Sequence, residues 1–147
     1  MKRFKFTLQA LFDYKITVEK MQKVELKNAQ EVLSELVAEE IRLLQAYADN
    51  ESSLQLALES NLNVAQALSE HDAYFRFLRD ALKVIREKIV VAEEAVRECQ
   101  ERLILTMKEI KTYNKLRDEQ LLVYKKEVQA EETKEIDDLV SFNVINE

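Results

Sequence analysis

No glycine and no proline occur anywhere in the 147 residues. Ordinary chains carry about 7% glycine and 5% proline. Glycine reaches the positive φ of tight turns and helix C-caps without steric cost, and proline presets turn corners. A chain without either changes direction rarely. Barrels, sandwiches and hairpin-rich sheets are therefore excluded, and long helices remain. The same absence removes P-loops and Gly-rich dinucleotide turns, whose backbone amides must approach phosphates closely. One histidine and one cysteine cannot furnish a structural zinc site of four thiolates, or of two thiolates and two imidazoles. A Ser–His–Asp triad could draw only on His71. Cys99 has no partner for an internal disulfide and suits a reducing compartment. No apolar run approaches the ~18 residues of a membrane span. Lys5, Gln9 and Asp13 interrupt the N-terminal apolar residues, so a signal-peptide core is lacking. The expectation is a protein that is not an enzyme, with no metal, no cofactor and no small-molecule substrate.

The strongest periodic signal runs through Phe75, Leu78, Leu82, Ile85, Ile89, Ala92, Val96, Cys99, Leu103, Thr106, Ile110 and Tyr113. Steps of three and four alternate, which is the seam of a coiled coil. Only Thr106 is neither apolar nor aromatic. The intervening positions are mostly charged, as a solvated outer face requires. Beyond Tyr113 the frame shifts: Ile110 and Leu121 are eleven residues apart, and Leu121, Tyr124 and Val128 resume the stripe. An eleven-residue step is a stutter that locally unwinds a left-handed supercoil. The first half carries a looser stripe of Leu8, Leu11, Val18, Met21, Ala29, Val32, Leu36, Leu43, Leu44 and Tyr47, interrupted at Glu25, Asn28 and Glu40.

Between the halves lies ESNLNVAQALSEHD, residues 59–72, the one cluster of turn-forming polar residues. Asn63 followed by Gln66 resembles a capping box that starts a short helix, and Ser69 is positioned to cap the second long helix. The expected fold is all-α: a long antiparallel two-helix coiled-coil hairpin with a short helical turn region. One domain spans 1–147. It has helix 1 over about 6–58, turn and short helix over about 59–71, helix 2 over about 72–138 and a frayed acidic tail over 139–147. Pairing about a turn near residues 60–64 places Tyr47 beside Phe75, Met21 beside Glu101 and Leu8 beside Asn114. A parallel homodimer of bent helices could also satisfy the seam.

Charge is segregated along the chain. Residues 1–30 carry net +4, 31–72 net −8, 73–107 net +1, 108–126 net +3 and 127–147 net −6, within a total of −6. A hairpin brings the two basic stretches together, which suits different partners for different parts of the molecule. Each charged stretch taken singly is also what a solvated helix face looks like. Nucleic acid is not expected as a partner, because no continuous basic face is evident and phosphate contacts dominate such binding. Tyr47, Tyr74, Phe75 and Phe77 cluster at one level, with only Phe75 in the seam frame. Aromatics outside the seam suggest a binding surface. His71 reads as a solvated or capping residue and Cys99 as a small core residue. The acidic pairs Glu39-Glu40, Glu93-Glu94 and Asp137-Asp138 do not face each other on a helix and have no cleft to tune them.

Three stretches, taken in order, resemble the FliJ family of flagellar export proteins in its Gram-positive form. They are Phe4-x-Phe6-x-Leu8-x-x-Leu11-x-x-Tyr14-Lys15, then Tyr113-Asn-Lys115-Leu116-Arg117 with Tyr124 and Glu127, then Glu132-Thr-Lys134-Glu135-Ile136-Asp137-Asp138. The resemblance implies an antiparallel coiled coil similar to the central stalk of rotary ATPases, in the cytoplasm, peripheral to the membrane at the flagellar base. It implies that the end bearing both termini engages the hexameric export ATPase and promotes ring assembly. Arg3, Lys5, Lys15, Lys111, Lys115 and Arg117 are the candidate contacts. It further implies contact with export chaperones and with the membrane export gate. Leu44, Tyr47, Tyr74, Leu78 and Ala81 match the family's gate-contact character, whereas Glu40, Glu51 and Ile85 do not. Leu78 is also a seam residue, so two roles compete there. The alternatives are a coiled-coil export chaperone, or the stalk of a related virulence secretion system or rotary ATPase. A chaperone needs a wide apolar groove along its side, and the sequence displays one seam. The small core of a two-helix hairpin implies modest stability, with fraying after about residue 138.

Overall fold

The structure is a computed structural model and describes residues 2–60 and 63–145. It is an all-α helical hairpin of two long helices packed against each other. Helix α1 spans Gln9–Glu59 and α2 spans Val64–Ile145. With no glycine or proline to break them, both helices run far beyond ordinary lengths. Asn61 and Leu62, at the centre of the expected turn, lie outside the described residues. So do Met1 and the last two residues of the expected tail.

Several boundaries differ from expectation. The segment expected as a separate short helix over 59–71 is instead the first part of α2. Asn63 caps it: its Oδ1 accepts the Gln66 N–H at 3.3 Å, and its Nδ2 donates to Gln66 Oε1 at 3.3 Å. With the cap made at Asn63, nothing interrupts the helix at Ser69. At the other end α2 continues to Ile145 rather than stopping near 138, because nothing in that stretch breaks a helix. Helix α1 ends without a glycine: the Ser60 hydroxyl donates to the Ala57 carbonyl at 2.7 Å, satisfying one acceptor the helix end leaves open. It begins at Gln9, not near residue 6, because the chain before it takes another path.

The contacts group into two compact units, Met1–Met21 with Leu103–Glu147 and Gln22–Arg102. In the second unit, α2 buries Leu78, Leu82, Ile85, Ile89, Ala92 and Cys99, with Phe75 and Val96 half-buried. Opposite them stand Leu26, Ala29, Leu33, Leu36, Glu40, Leu43 and Tyr47, all half-buried, and Asn50, which is buried. The Tyr47 and Phe75 rings lie 4.7 Å apart between centroids, the pairing that the turn position implies. Asn50 donates from Nδ2 to the His71 carbonyl at 3.1 Å. His71 Nδ1 in turn contacts the Ala67 carbonyl at 2.8 Å.

The stripe read for α1 needs correction. Leu11, Met21, Val32 and Leu44 are exposed, while Leu8, Val18, Ala29, Leu36, Leu43 and Tyr47 face inward at least in part. Helix α1 carries more apolar residues than one seam can hold. Several seam positions are themselves polar: Lys15, Glu19, Gln22, Glu40 and Asn50. A search for apolar residues alone therefore drifts off the true line.

In the first unit α2 buries Leu103, Thr106 and Ile110. Its inner line then passes through half-buried Tyr113, Arg117, Leu121, Tyr124 and Val128. Two successive steps of four, at Arg117 and Leu121, make the stutter. It falls where α2 changes partner. Up to that level α2 faces α1; beyond it, residues 2–8 lie along α2 without being helical. Phe6 is buried, the Phe4 and Tyr124 rings are 5.5 Å apart, and Tyr124 Oη donates to the Lys2 carbonyl at 2.7 Å. After Val128 every described residue of α2 is exposed.

Candidate functional site

The first unit collects all six basic candidates, but not in equivalent roles. Lys15 is half-buried on the seam and makes a 2.5 Å ion pair with Glu109. That hydrogen bond, with the charge of Glu109, holds the Lys15 ammonium above its ordinary lysine value, against a smaller opposing effect of desolvation. The Arg117 guanidinium lies over the Phe12 ring, 5.3 Å from its centroid, a cation–π contact. Both side chains are engaged within the hairpin. Arg3, Lys5, Lys111 and Lys115 are exposed.

Lys111 and Lys115 share the outer face of α2 with Lys108, at helical spacings of three and four. Together with Thr112, Asn114 and Asp118 they line an open hollow of about 590 Å³. Lysine stems of this kind cover apolar surface while presenting ammonium groups outward. Lys5 lies on a different side, in a hollow with Phe4, Leu116, Glu119, Val123 and Tyr124. The basic candidates thus form a lysine face on α2 and a separate pair on the N-terminal segment. The sequence did not reveal Lys108 as part of this face; the i, i+3, i+7 spacing of 108, 111 and 115 was the available signal.

The second unit holds the aromatic cluster and the candidates for gate contact. Tyr47 is half-buried in the seam against Phe75. Leu78, only 2% exposed, presents no surface, so its core role excludes the contact role. Tyr74 stacks on Phe77 with ring centroids 6.2 Å apart and planes 13° apart. Tyr74, Phe77 and Ala81 each precede a seam residue of α2, whereas Leu44 follows a seam residue of α1. In an antiparallel pair those positions flank opposite sides of the seam. The structure therefore brings Tyr74 and Ala81 together and leaves Leu44 apart.

One feature of this unit was not legible in the sequence. Beside the seam runs an apolar groove floored by Leu36, Leu43 and Ile85, with Val84, Val91 and Ala95 along it. The expectation of a single apolar line is corrected: α2 carries two. Cys99 is buried and accepts an Arg102 Nη2 hydrogen bond at 3.4 Å. Among the described residues no group of three or more His, Cys, Asp or Glu side chains is placed to hold a metal. No described helix is long and apolar enough to cross a membrane.

A two-helix hairpin whose first unit carries both chain termini and a lysine face defines a class: all-α helical-hairpin proteins. The model of the flagellar FliJ protein family matches residues 4–147. The chain belongs to the FliJ family, whose place is in flagellar protein export. No curated protein and no solved structure matched the chain.

Proposed function

We propose that this FliJ-family protein is a non-enzymatic stalk of the flagellar export machinery, working on the cytoplasmic side of the membrane at the flagellar base. The unit with both termini engages the export ATPase, promotes assembly of its hexameric ring and couples that ring to the membrane export gate and to export chaperones. The observation that carries this reading is the exposed lysine face of Lys108, Lys111 and Lys115 in that unit. A partner can bias ring assembly only by binding the assembled state more tightly than separate subunits. A fixed array of cations meeting several subunits at once supplies such a difference. Tyr74 and Ala81 are the candidates for gate contact on one flank, since Leu78 is enclosed, Tyr47 packs on Phe75 in the seam and Leu44 lies on the opposite flank.

The test measures ATP hydrolysis by the cognate export ATPase with and without this protein, following ring formation by sedimentation in the same samples. The expected outcome is faster hydrolysis together with a hexamer. Joint reversal by Arg3→Glu, Lys111→Glu and Lys115→Glu should weaken the effect about tenfold, at roughly 0.5 kcal/mol per exposed charge contact. Lys15 and Arg117 are left out because each has a partner inside the hairpin. Unchanged hydrolysis and no association would remove the stalk mechanism.

A further inference from the structure

Each seam residue of α2 from Leu78 to Val96 is preceded by a member of a second line: Phe77, Ala81, Val84, Lys88, Val91 and Ala95. The line keeps the steps of four and three and lies about 100° around the helix from the seam. It is largely apolar yet largely exposed: Phe77 is 63% exposed, Val84 50% and Val91 70%. On α1 the matching flank carries Val32, also exposed, and Glu39. Two hollows of about 590 and 480 Å³ share Val84 and Lys88, so they form one continuous groove along the second unit. Its charged lining is Glu39, Asp80 and Glu87 against Lys88 alone. Glu35 occupies the α1 flank between Val32 and Glu39.

We infer that this groove docks a basic amphipathic helix from a partner protein, which completes a three-helix coiled coil. Heptad-spaced apolar residues of the incoming helix meet Phe77, Val84, Val91 and Val32, and its flanking Lys or Arg residues meet the acidic rim. A helix laid in a groove is read by anchors at such spacings. A second copy of this chain is the wrong occupant, because isologous pairing of the groove with itself sets one acidic rim against another. The inference does not depend on the ATPase coupling proposed above, since the lysine face belongs to the other unit.

The test titrates the full chain into a labelled synthetic helical peptide about three heptads long, with leucine at the seam positions and lysine at the flanks. A matched peptide with glutamate flanks is the comparison. The lysine peptide should bind and the glutamate peptide should not. The double variant Val84→Gln, Val91→Gln should weaken binding about tenfold or more, each 1.4 kcal/mol being one decade. Val90→Gln, at a neighbouring site that is 65% exposed but on the opposite flank, should leave binding unchanged. Helical circular dichroism checks that the variants fold. Equal binding of the two peptides, no binding of either, or an equal loss with Val90→Gln would overturn the inference. So would a concentration-dependent dimer that Val84→Gln, Val91→Gln abolishes, which would assign the groove to a second copy.

Discussion

Gln22 occupies a seam position of α1 with its Oε1 buried and without a hydrogen-bond partner. An unsatisfied buried acceptor costs about 1–3 kcal/mol. Gln22→Leu should therefore stabilise the hairpin by about 1–2 kcal/mol, read as a higher urea midpoint at unchanged slope; an unchanged or lower midpoint would show that the amide is satisfied in solution. Lys15 is the opposite case, a polar seam residue with a partner. Its folded-state pKa is raised by the hydrogen bond to Glu109. A raised pKa gives stability that is complete below the ordinary lysine value and is lost as pH rises through the folded value. The gap in urea midpoint between wild type and Lys15→Met should thus be constant through neutral pH and narrow only as pH rises above the ordinary lysine value of about 10.4. A gap that persists there would show that the lysine stem, not the ion pair, carries the effect. These polar seam residues also explain why apolar residues alone do not trace the α1 seam: apolar character marks a seam only where the seam is apolar, as it is, Thr106 apart, from Phe75 to Ile110.

At the scale of elements, the stutter in α2 was legible as an eleven-residue step, but its structural meaning was not. It coincides with the level at which α1 gives way to the non-helical segment 2–8. The Phe4-x-Phe6 spacing sends both rings to one side of an extended chain, which is what a strap along a helix needs. Read at helical period, the same residues only extended α1 toward residue 6. Tyr124 ties the strap down through its bond to the Lys2 carbonyl. Tyr124→Phe removes a bond of roughly 1 kcal/mol, so tryptic cleavage after Arg3 and Lys5 should accelerate about fivefold, with little change in global urea midpoint. Cleavage at the wild-type rate would show that Phe4 and Phe6 alone hold the segment. The capping of α2 at Asn63 was legible, because the capping residue and Gln66 are local. The second cap expected at Ser69 lies inside α2 instead, because a serine that meets the local rule for a cap can equally continue a helix already begun.

For the molecule as a whole, the sequence by itself determined the class of fold. A chain with no glycine, no proline and one cluster of turn-forming polar residues can double back at most once, and the hairpin unites the basic N-terminal stretch with the basic stretch after residue 107. The seam of α2, the Tyr47–Phe75 level and the family followed from residues close in sequence or from strict periodicity. Only the tertiary structure decided which candidates are free to act. Lys15 and Arg117 turn out to be engaged by Glu109 and Phe12, Leu78 is enclosed, and Leu44 falls on the opposite flank from Tyr74. The groove beside Val84 and Val91 likewise exists only because α1 presents Val32 on the same side. The physical reason is one of range. Periodicity fixes which residues share a face of a single helix, while the meeting of two faces depends on the register and rotation of one helix against another. Those are set by side-chain packing across the seam, between residues far apart in the chain.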